Sequence, residues 1–369
     1  MGKLFKSPYT KLILMLLTWR AILFVIAGIA PKFIHPFGNK FPYVGLLIDS
    51  GLPHFFWSFG NFDGVHYLGI AQHFYAYQYT QAFFPLYPIL IKFASYLTLG
   101  NYVLAGLIIS NLAFAVGIII FYKLIKKMYS ENTALWSCLL MLSFPTSYYF
   151  GSLYTEGVFF LLVILSFYLL AENKLLAASV IGAFASSARL IGIFLAPSFI
   201  RGKKFSQIAP LSIIPVGLIL YMSYLYYKFH NAFYFLTAQT IFGQERSTTN
   251  IVLLPQVFYR YAKILLTTHG LVLATASFEL VSTIFAIIIL ILATKKIKRE
   301  WLIFSWLAIL VPALTGTFTS MPRYILVAFP IFVYLAMINN VYIKLIIVAI
   351  FLSLLVFTTA LFTQGYWVA

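Results

Sequence analysis

Leu12-Ile-Leu-Met-Leu-Leu-Thr-Trp-Arg-Ala-Ile-Leu-Phe-Val-Ile-Ala-Gly-Ile-Ala30 decides the fold class. The run carries a single charge, Arg20, in nineteen residues. As an α-helix it is about 28 Å long, close to the ~30 Å hydrocarbon core of a bilayer. Comparable runs recur along nearly the whole chain of 369 residues, which is 62% hydrophobic and 9% charged. A soluble domain is nearer half apolar and a quarter charged. The chain therefore reads as an all-α, polytopic integral membrane protein, one membrane body over residues 1–369. The charged start, Met1 to Lys11, resembles that of a signal peptide. The apolar run behind it is too long, and no small-x-small cleavage site follows, so it reads as a retained first span.

A net charge of +17 would point a soluble chain toward nucleic acid. Here the positives sit in short clusters between apolar runs, where they report topology, and a nucleic-acid partner is excluded. The clusters are Lys3/Lys6/Lys11, Lys123/Lys126/Lys127, Arg201/Lys203/Lys204, Lys295/Lys296/Lys298/Arg299 and the weak Lys344. Placing all five in the cytoplasm puts the N-terminus inside and gives about eleven spans: 12–30, 102–122, 132–149, 157–172, 175–188, 190–200, 208–228, 274–294, 301–317, 323–338 and 342–362. Residues 82–99 are apolar, but Pro85, Pro88 and Lys92 interrupt them, and they read as a juxtamembrane helix in the outer interface. The pair 175–188 and 190–200 reads as a short helical hairpin with Ser186–Gly192 at its outer tip. Two long extracytoplasmic loops follow, 31–101 and 229–273.

This topology gathers the informative polar residues on one side. Asp49, Asp63, His66 and His73 lie in the first loop, and Tyr154 and Glu156 in the turn before the span at 157–172. Arg189 tips the hairpin, and Glu245, Arg246, Arg260, Lys263 and His269 lie in the second loop. Arg323 opens the tenth span. Ionisable groups at membrane depth are expensive and are functional candidates by default. Asp63 is one of only eight acids. With Asn61 as N-cap, residues 62–75 read as a helix that sets Asp63, His66 and His73 on one face. An acid there suits a general base for an acceptor hydroxyl. It equally suits a first-turn carboxylate at a helix dipole. The same face invites a metal, but the two histidines lie two turns apart, too far for one ion without a third segment. Arg189 and Arg323 each stand alone at a span end. Both suit two-pronged phosphate binding, or snorkelling to headgroups. Cys138 is the only cysteine and lies in an apolar run, so neither an intrachain disulfide nor a cysteine metal site can form.

At these residues the chain resembles the PIG-V type mannosyltransferases. The likeness rests on Asn61-Phe-Asp-Gly-Val-His-Tyr-Leu-Gly-Ile-Ala71 followed by Gln81-Ala-Phe-Phe-Pro-Leu-Tyr-Pro88. Phe144-Pro-Thr-Ser-Tyr-Tyr-Phe-Gly-Ser-Leu-Tyr-Thr-Glu156, Ser187-Ala-Arg-Leu-Ile-Gly192 and Met321-Pro-Arg-Tyr-Ile-Leu-Val-Ala-Phe-Pro330 continue it in order. Phe62 stands where the family usually has tryptophan, and His73-Phe-Tyr-Ala-Tyr77 where relatives often show Gly-Tyr. The family includes the second mannosyltransferase of GPI-anchor synthesis and shorter prokaryotic relatives.

The resemblance implies a GT-C fold and an inverting transfer of sugar from a polyprenyl-phosphate donor on the extracytoplasmic face, with mannose the expected sugar. It implies Asp63 as catalytic base. On this reading Arg189 and Arg323 bind the donor phosphate, and His66, Glu156, Tyr154 and His73 are candidate sugar or phosphate contacts. No metal or other cofactor is needed, because arginines can neutralise the phosphate. The expected partners are the bilayer, the lipid-linked donor and an unnamed acceptor. The expected location is the plasma membrane in a prokaryote and the endoplasmic reticulum in a eukaryote. Two rivals stay open: a transporter or flippase for lipid-linked sugars, and a non-catalytic membrane scaffold.

Overall fold

The structure is a computed structural model that describes residues 7–36, 44–200, 208–242, 246–247 and 250–368. Lys3, Lys6, the Arg201/Lys203/Lys204 cluster and Glu245 lie outside the described residues. Every regular element among the described residues is helical. Among the described residues five helices are long and apolar enough to cross a membrane: Pro8–Lys32, Tyr102–Met128, Ala209–Phe229, Gly270–Ala293 and Val341–Thr363. They fall on five of the runs read as spans.

Other expected spans are shorter or broken, for reasons written in the sequence. The run at 132–149 is α-helical over Glu131–Ser143 and ends in a 3-10 turn, Ser147–Gly151. Phe144 between them turns extended (ψ 141°), as a residue before proline is pushed to do. The run at 190–200 becomes a 3-10 turn, Leu190–Phe194, and a single helical turn, Leu195–Ser198. The run at 323–338 divides into Met321–Ile325 and Pro330–Ala336, with Pro330 opening the second piece. Residues 82–99 form only Leu86–Ser95, about 15 Å of helix, half of what a bilayer core requires.

The chain separates into two compact units, each discontinuous in sequence. The first comprises residues 1–74, 86–174 and 332–368, and the second 75–85 and 175–331. In the first unit the helix Tyr102–Met128 is the organising element. Asn101 caps its start by accepting from the Leu104 N–H at 2.9 Å. It packs against Glu156–Ala171, Glu131–Ser143 and Leu86–Ser95. The first helix, Pro8–Ile29, packs on Glu131–Ser143 and on the last helix, Val341–Thr363. Phe114 stacks on Phe150 at 4.2 Å, with Phe160 and Trp19 against the pair. Large apolar side chains such as Leu17, Val25, Ile346 and Phe357 remain more than half exposed, as lipid-facing positions must.

In the second unit Leu175–Ala188 packs on Val216–Phe229. The contact is backbone-close at Gly217, where a Cβ would lie 2.0 Å from the Ala183 carbonyl oxygen. Ser186 holds this junction, donating to the Ile214 carbonyl at 2.6 Å and accepting from the Leu218 N–H at 3.2 Å. Gly192 likewise abuts the backbone of Ala185. The small residues around Arg189 thus serve helix contact.

Two lysines at the far end of Tyr102–Met128 close on acids: Lys126 on Glu131 at 2.6 Å, and Lys127 on Glu172. Glu172 ends the helix that Glu156 begins. The lysine-rich end of the first unit and the Glu156 end are therefore separated by the length of that helix, about 24 Å.

Gly157 carries a direct test of this packing. A Cβ there would sit 2.6 Å from two backbone oxygens, those of Phe150 and Ser110. Overpacking of this kind costs about 1–3 kcal/mol. Gly157→Ala should lower the Tm measured in detergent, whereas Gly28→Ala, with nothing within 4 Å, should leave it unchanged or raise it.

Candidate active site

Asp63 opens the helix Asp63–His73. Phe62 precedes it with φ 62° and ψ −115°, a conformation bulky residues avoid and one that costs about 1–3 kcal/mol. The surrounding structure over-determines that bend. Leu153 donates its N–H to the Phe59 carbonyl at 3.0 Å. Tyr154 donates its hydroxyl to the Asn61 carbonyl at 2.6 Å and accepts from the Asp63 N–H at 3.2 Å. The Phe62 ring packs on Phe362 and Trp367. Asn61 is not the N-cap its position suggests. Its amide donates to the Phe362 and Thr363 carbonyls at 2.9 and 3.3 Å, satisfying the end of the last helix. The helix is correspondingly shorter than 62–75.

The stretch 144–156 supplies the other wall. Tyr148, Tyr149, Phe150, Leu153, Tyr154 and Glu156 are all fully buried. Gly64 lets the Asp63 helix approach this wall, since a Cβ there would lie 3.3 Å from the Leu153 carbonyl oxygen. Glu156 starts its helix, where the dipole favours a carboxylate. Tyr154 was a candidate ligand contact by sequence. It is fully buried, and its hydroxyl braces the Asp63 loop through the Asn61 and Asp63 backbone. Arg20 faces the bundle interior. Its guanidinium lies 4.1 Å from the Phe24 ring centre and 4.5 Å from that of Phe59, directly behind the same loop.

Asp63 and His66 are half-buried and one turn apart, while His73 is exposed at the helix end. Burial pushes the His66 imidazole below its ordinary value, and the Asp63 carboxylate pulls it back up. His73 sits where a helix C-terminus favours a cation. Asp49 is exposed at the end of a single helical turn. Among the described residues no group of three or more His, Cys, Asp and Glu side chains is placed to hold a metal ion.

In the second unit Arg189 and the Arg323 helix come together. The Arg189 guanidinium lies 5.5 Å from the ring centre of Tyr324, the residue after Arg323. Arg323 is 6% exposed, which rules out a snorkelling side chain. Its helix follows a turn held by groups the sequence reading passed over. Tyr261 donates to the Glu279 carboxylate at 2.6 Å, shares a hydrogen bond with Thr317 at 3.1 Å and accepts from the Phe318 N–H at 3.1 Å. Thr317 and Thr319 are bonded at 2.8 Å, and Arg246 donates to the Thr319 carbonyl at 3.4 Å. Glu279 carried a legible signal, an acid inside the apolar run 270–293. Tyr261, one of 26 tyrosines, carried none.

The His66 environment gives a pH dependence. The folded protein resists protonating His66, so the unfolded chain binds the proton first. Stability should fall as pH drops below the ordinary histidine value of about 6.5. Between pH 7.5 and 5.5 the Tm in detergent should fall less for His66→Gln than for wild type. It should fall more for Asp63→Asn, which removes a carboxylate that holds the imidazole up.

The family profile described as Mannosyltransferase (PIG-V) matches residues 11–208. GPI mannosyltransferase 2 of Drosophila pseudoobscura pseudoobscura is 31% identical over 134 residues, 33% of this chain and 28% of that protein. GPI mannosyltransferase 2 of Cryptococcus neoformans var. neoformans serotype D (strain JEC21 / ATCC MYA-565) is 30% identical over 160 residues, 40% of this chain and 36% of that protein. The chain thus spans about a third of the length of these curated relatives. Among solved structures, ArnT from Cupriavidus metallidurans bound to undecaprenyl phosphate superposes with a TM-score of 0.52 at 14% identity, over 84% of this chain and 63% of that one. That likeness establishes the GT-C type fold. With a family match over more than half its length and these apolar helices, the chain is a multi-pass membrane protein that belongs to the PIG-V mannosyltransferase family.

Proposed function

We propose that the protein is an inverting glycosyltransferase that moves a sugar, with mannose the expected one, from a polyprenyl-phosphate donor to an acceptor hydroxyl. The observation that carries this reading is Asp63, half-buried on a strained backbone braced by Tyr154 and Asn61. Such strain persists where function repays it. The named relatives support mannose, and the undecaprenyl phosphate in the ArnT structure supports a polyprenyl-phosphate donor.

In the proposed step Asp63 accepts the proton of the acceptor hydroxyl as its oxygen attacks the anomeric carbon. The bond from that carbon to the phosphate oxygen breaks, the electron pair leaves with the polyprenyl phosphate, and the configuration inverts. Arg189 and Arg323 have the chemistry to bind that phosphate and balance its growing charge, so the step needs no metal. Glu156, His66 and His73 remain candidate sugar contacts. Asp63 and Glu156 belong to the end of the first unit away from Lys126 and Lys127. Where positive clusters mark the cytoplasm, the reaction faces outward.

The test is sugar transfer, or donor hydrolysis without acceptor, from synthetic polyprenyl-phosphate-mannose by the purified full-length chain in detergent. Asp63→Asn should lower kcat by about 10²–10⁴-fold with donor Kd unchanged. Arg323→Gln should weaken donor binding itself. Equal turnover in wild type and Asp63→Asn would refute the base assignment. Sugar movement across vesicles without any transfer would favour the transporter.

A further inference from the structure

The helix Leu254–Thr267 buries Tyr261 against the turn that precedes Arg323. One side of it lines a cavity of about 300 Å³ whose walls are Val252, Gln256, Tyr259, Arg260, Lys263 and Gly316. Gln256, Arg260 and Lys263 recur at intervals of four and three, so they share one helix face. None of the six lining residues is acidic. Two cations, an amide and a phenol thus converge on one hollow.

The hollow is built rather than draped. Gly316 has φ +96°, a conformation open to glycine, and its carbonyl accepts from the Arg260 guanidinium at 3.1 Å. Val252 donates its N–H to the Leu314 carbonyl at 2.9 Å, and Ser247 donates to that of Thr315 at 2.8 Å. Both sides of the cavity are therefore tied to one turn, and the Arg260 fork is oriented before any ligand arrives. A guanidinium has five N–H donors in one plane and matches phosphate oxygens in pairs.

The surroundings say where the phosphate comes from. Ile251, Leu253, Tyr259 and Leu266 are between 66% and 84% exposed. Tyr259 and Leu266 lie on the amphipathic helix and Ile251 and Leu253 just before it, and apolar groups so placed suit the boundary between headgroups and acyl chains. We propose that this pocket binds the phosphate of a lipid headgroup, with Arg260 and Lys263 on the phosphate and the exposed apolar residues against the lipid chains. The inference stands apart from the transferase reading, since no residue of this pocket takes part in the proposed reaction.

Native mass spectrometry of the full-length protein in detergent tests it, with dioleoyl phosphatidic acid, dioleoylglycerol and inorganic phosphate as probes. Wild type should retain phosphatidic acid over dioleoylglycerol. Lys263→Gln, at an exposed position that leaves folding intact, should weaken phosphatidic acid binding about fivefold, the worth of one basic residue near a membrane surface. Arg260→Gln with Lys263→Gln should weaken it further, and Lys263→Arg should preserve it. Equal phosphatidic acid binding in wild type and Lys263→Gln would overturn the site. Inorganic phosphate binding as tightly as the lipid would overturn the lipid source.

Discussion

The Tyr154 hydroxyl joins two chain segments more than ninety residues apart, donating to the Asn61 carbonyl and accepting from the Asp63 N–H. The rest of the candidate site depends on that bridge. Phe62 between them holds a positive φ of 62°. Relaxing it would rotate the start of the Asp63 helix. Because Tyr154 is itself fully buried among Tyr67, Tyr149 and Phe362, its hydroxyl has a fixed position. A buried acceptor left unmade costs about 1–3 kcal/mol, so the bridge and the strain are comparable and can coexist.

The same economy explains how so many interrupted helices survive in an apolar protein. Irregular backbone at membrane depth is tolerated only where its polar groups are satisfied inside the protein. The Pro145 carbonyl, freed by the break after Ser143, accepts from Thr358 of the last helix. The Ile214 carbonyl accepts from Ser186, and the Gln81 carbonyl from Tyr221. The turn before Arg323 is closed by Tyr261, Thr317, Thr319 and the Glu279 carboxylate. In each case a hydroxyl on a continuous helix repairs a gap in an irregular one. Rigid helices are thus used to fix the irregular segments, and Asp63, Arg189 and Arg323 lie next to such segments.

Much of this was legible in the sequence. The five long spans follow from unbroken apolar runs, and Asp63 stands out because acids are scarce. The breaks at Pro145 and Pro330 were also legible, since proline restricts the residue before it. Reading those runs as whole spans gave hydropathy more weight than it can bear. Asn61 misled because an N-cap is a local inference, while its actual partners are the Phe362 and Thr363 carbonyls some three hundred residues away. The pairing of Arg189 with Tyr324 is equally non-local. Tyr154 was legible as a candidate contact but not as a brace, because only burial and geometry separate a brace from a belt residue. Glu279 could have been found, since an acid within an apolar run requires a partner, and Tyr261 supplies it.

In the proposed mechanism Tyr154 works through Asp63 rather than through the sugar. A double-mutant cycle on turnover of polyprenyl-phosphate-mannose, using Tyr154→Phe, Asp63→Asn and the pair, tests it most directly. If Tyr154 only positions the base, Tyr154→Phe should lower kcat in wild type, by about tenfold or more, and should cost almost nothing further once Asp63 is Asn. Equal losses in both backgrounds would mean that Tyr154 acts independently of Asp63.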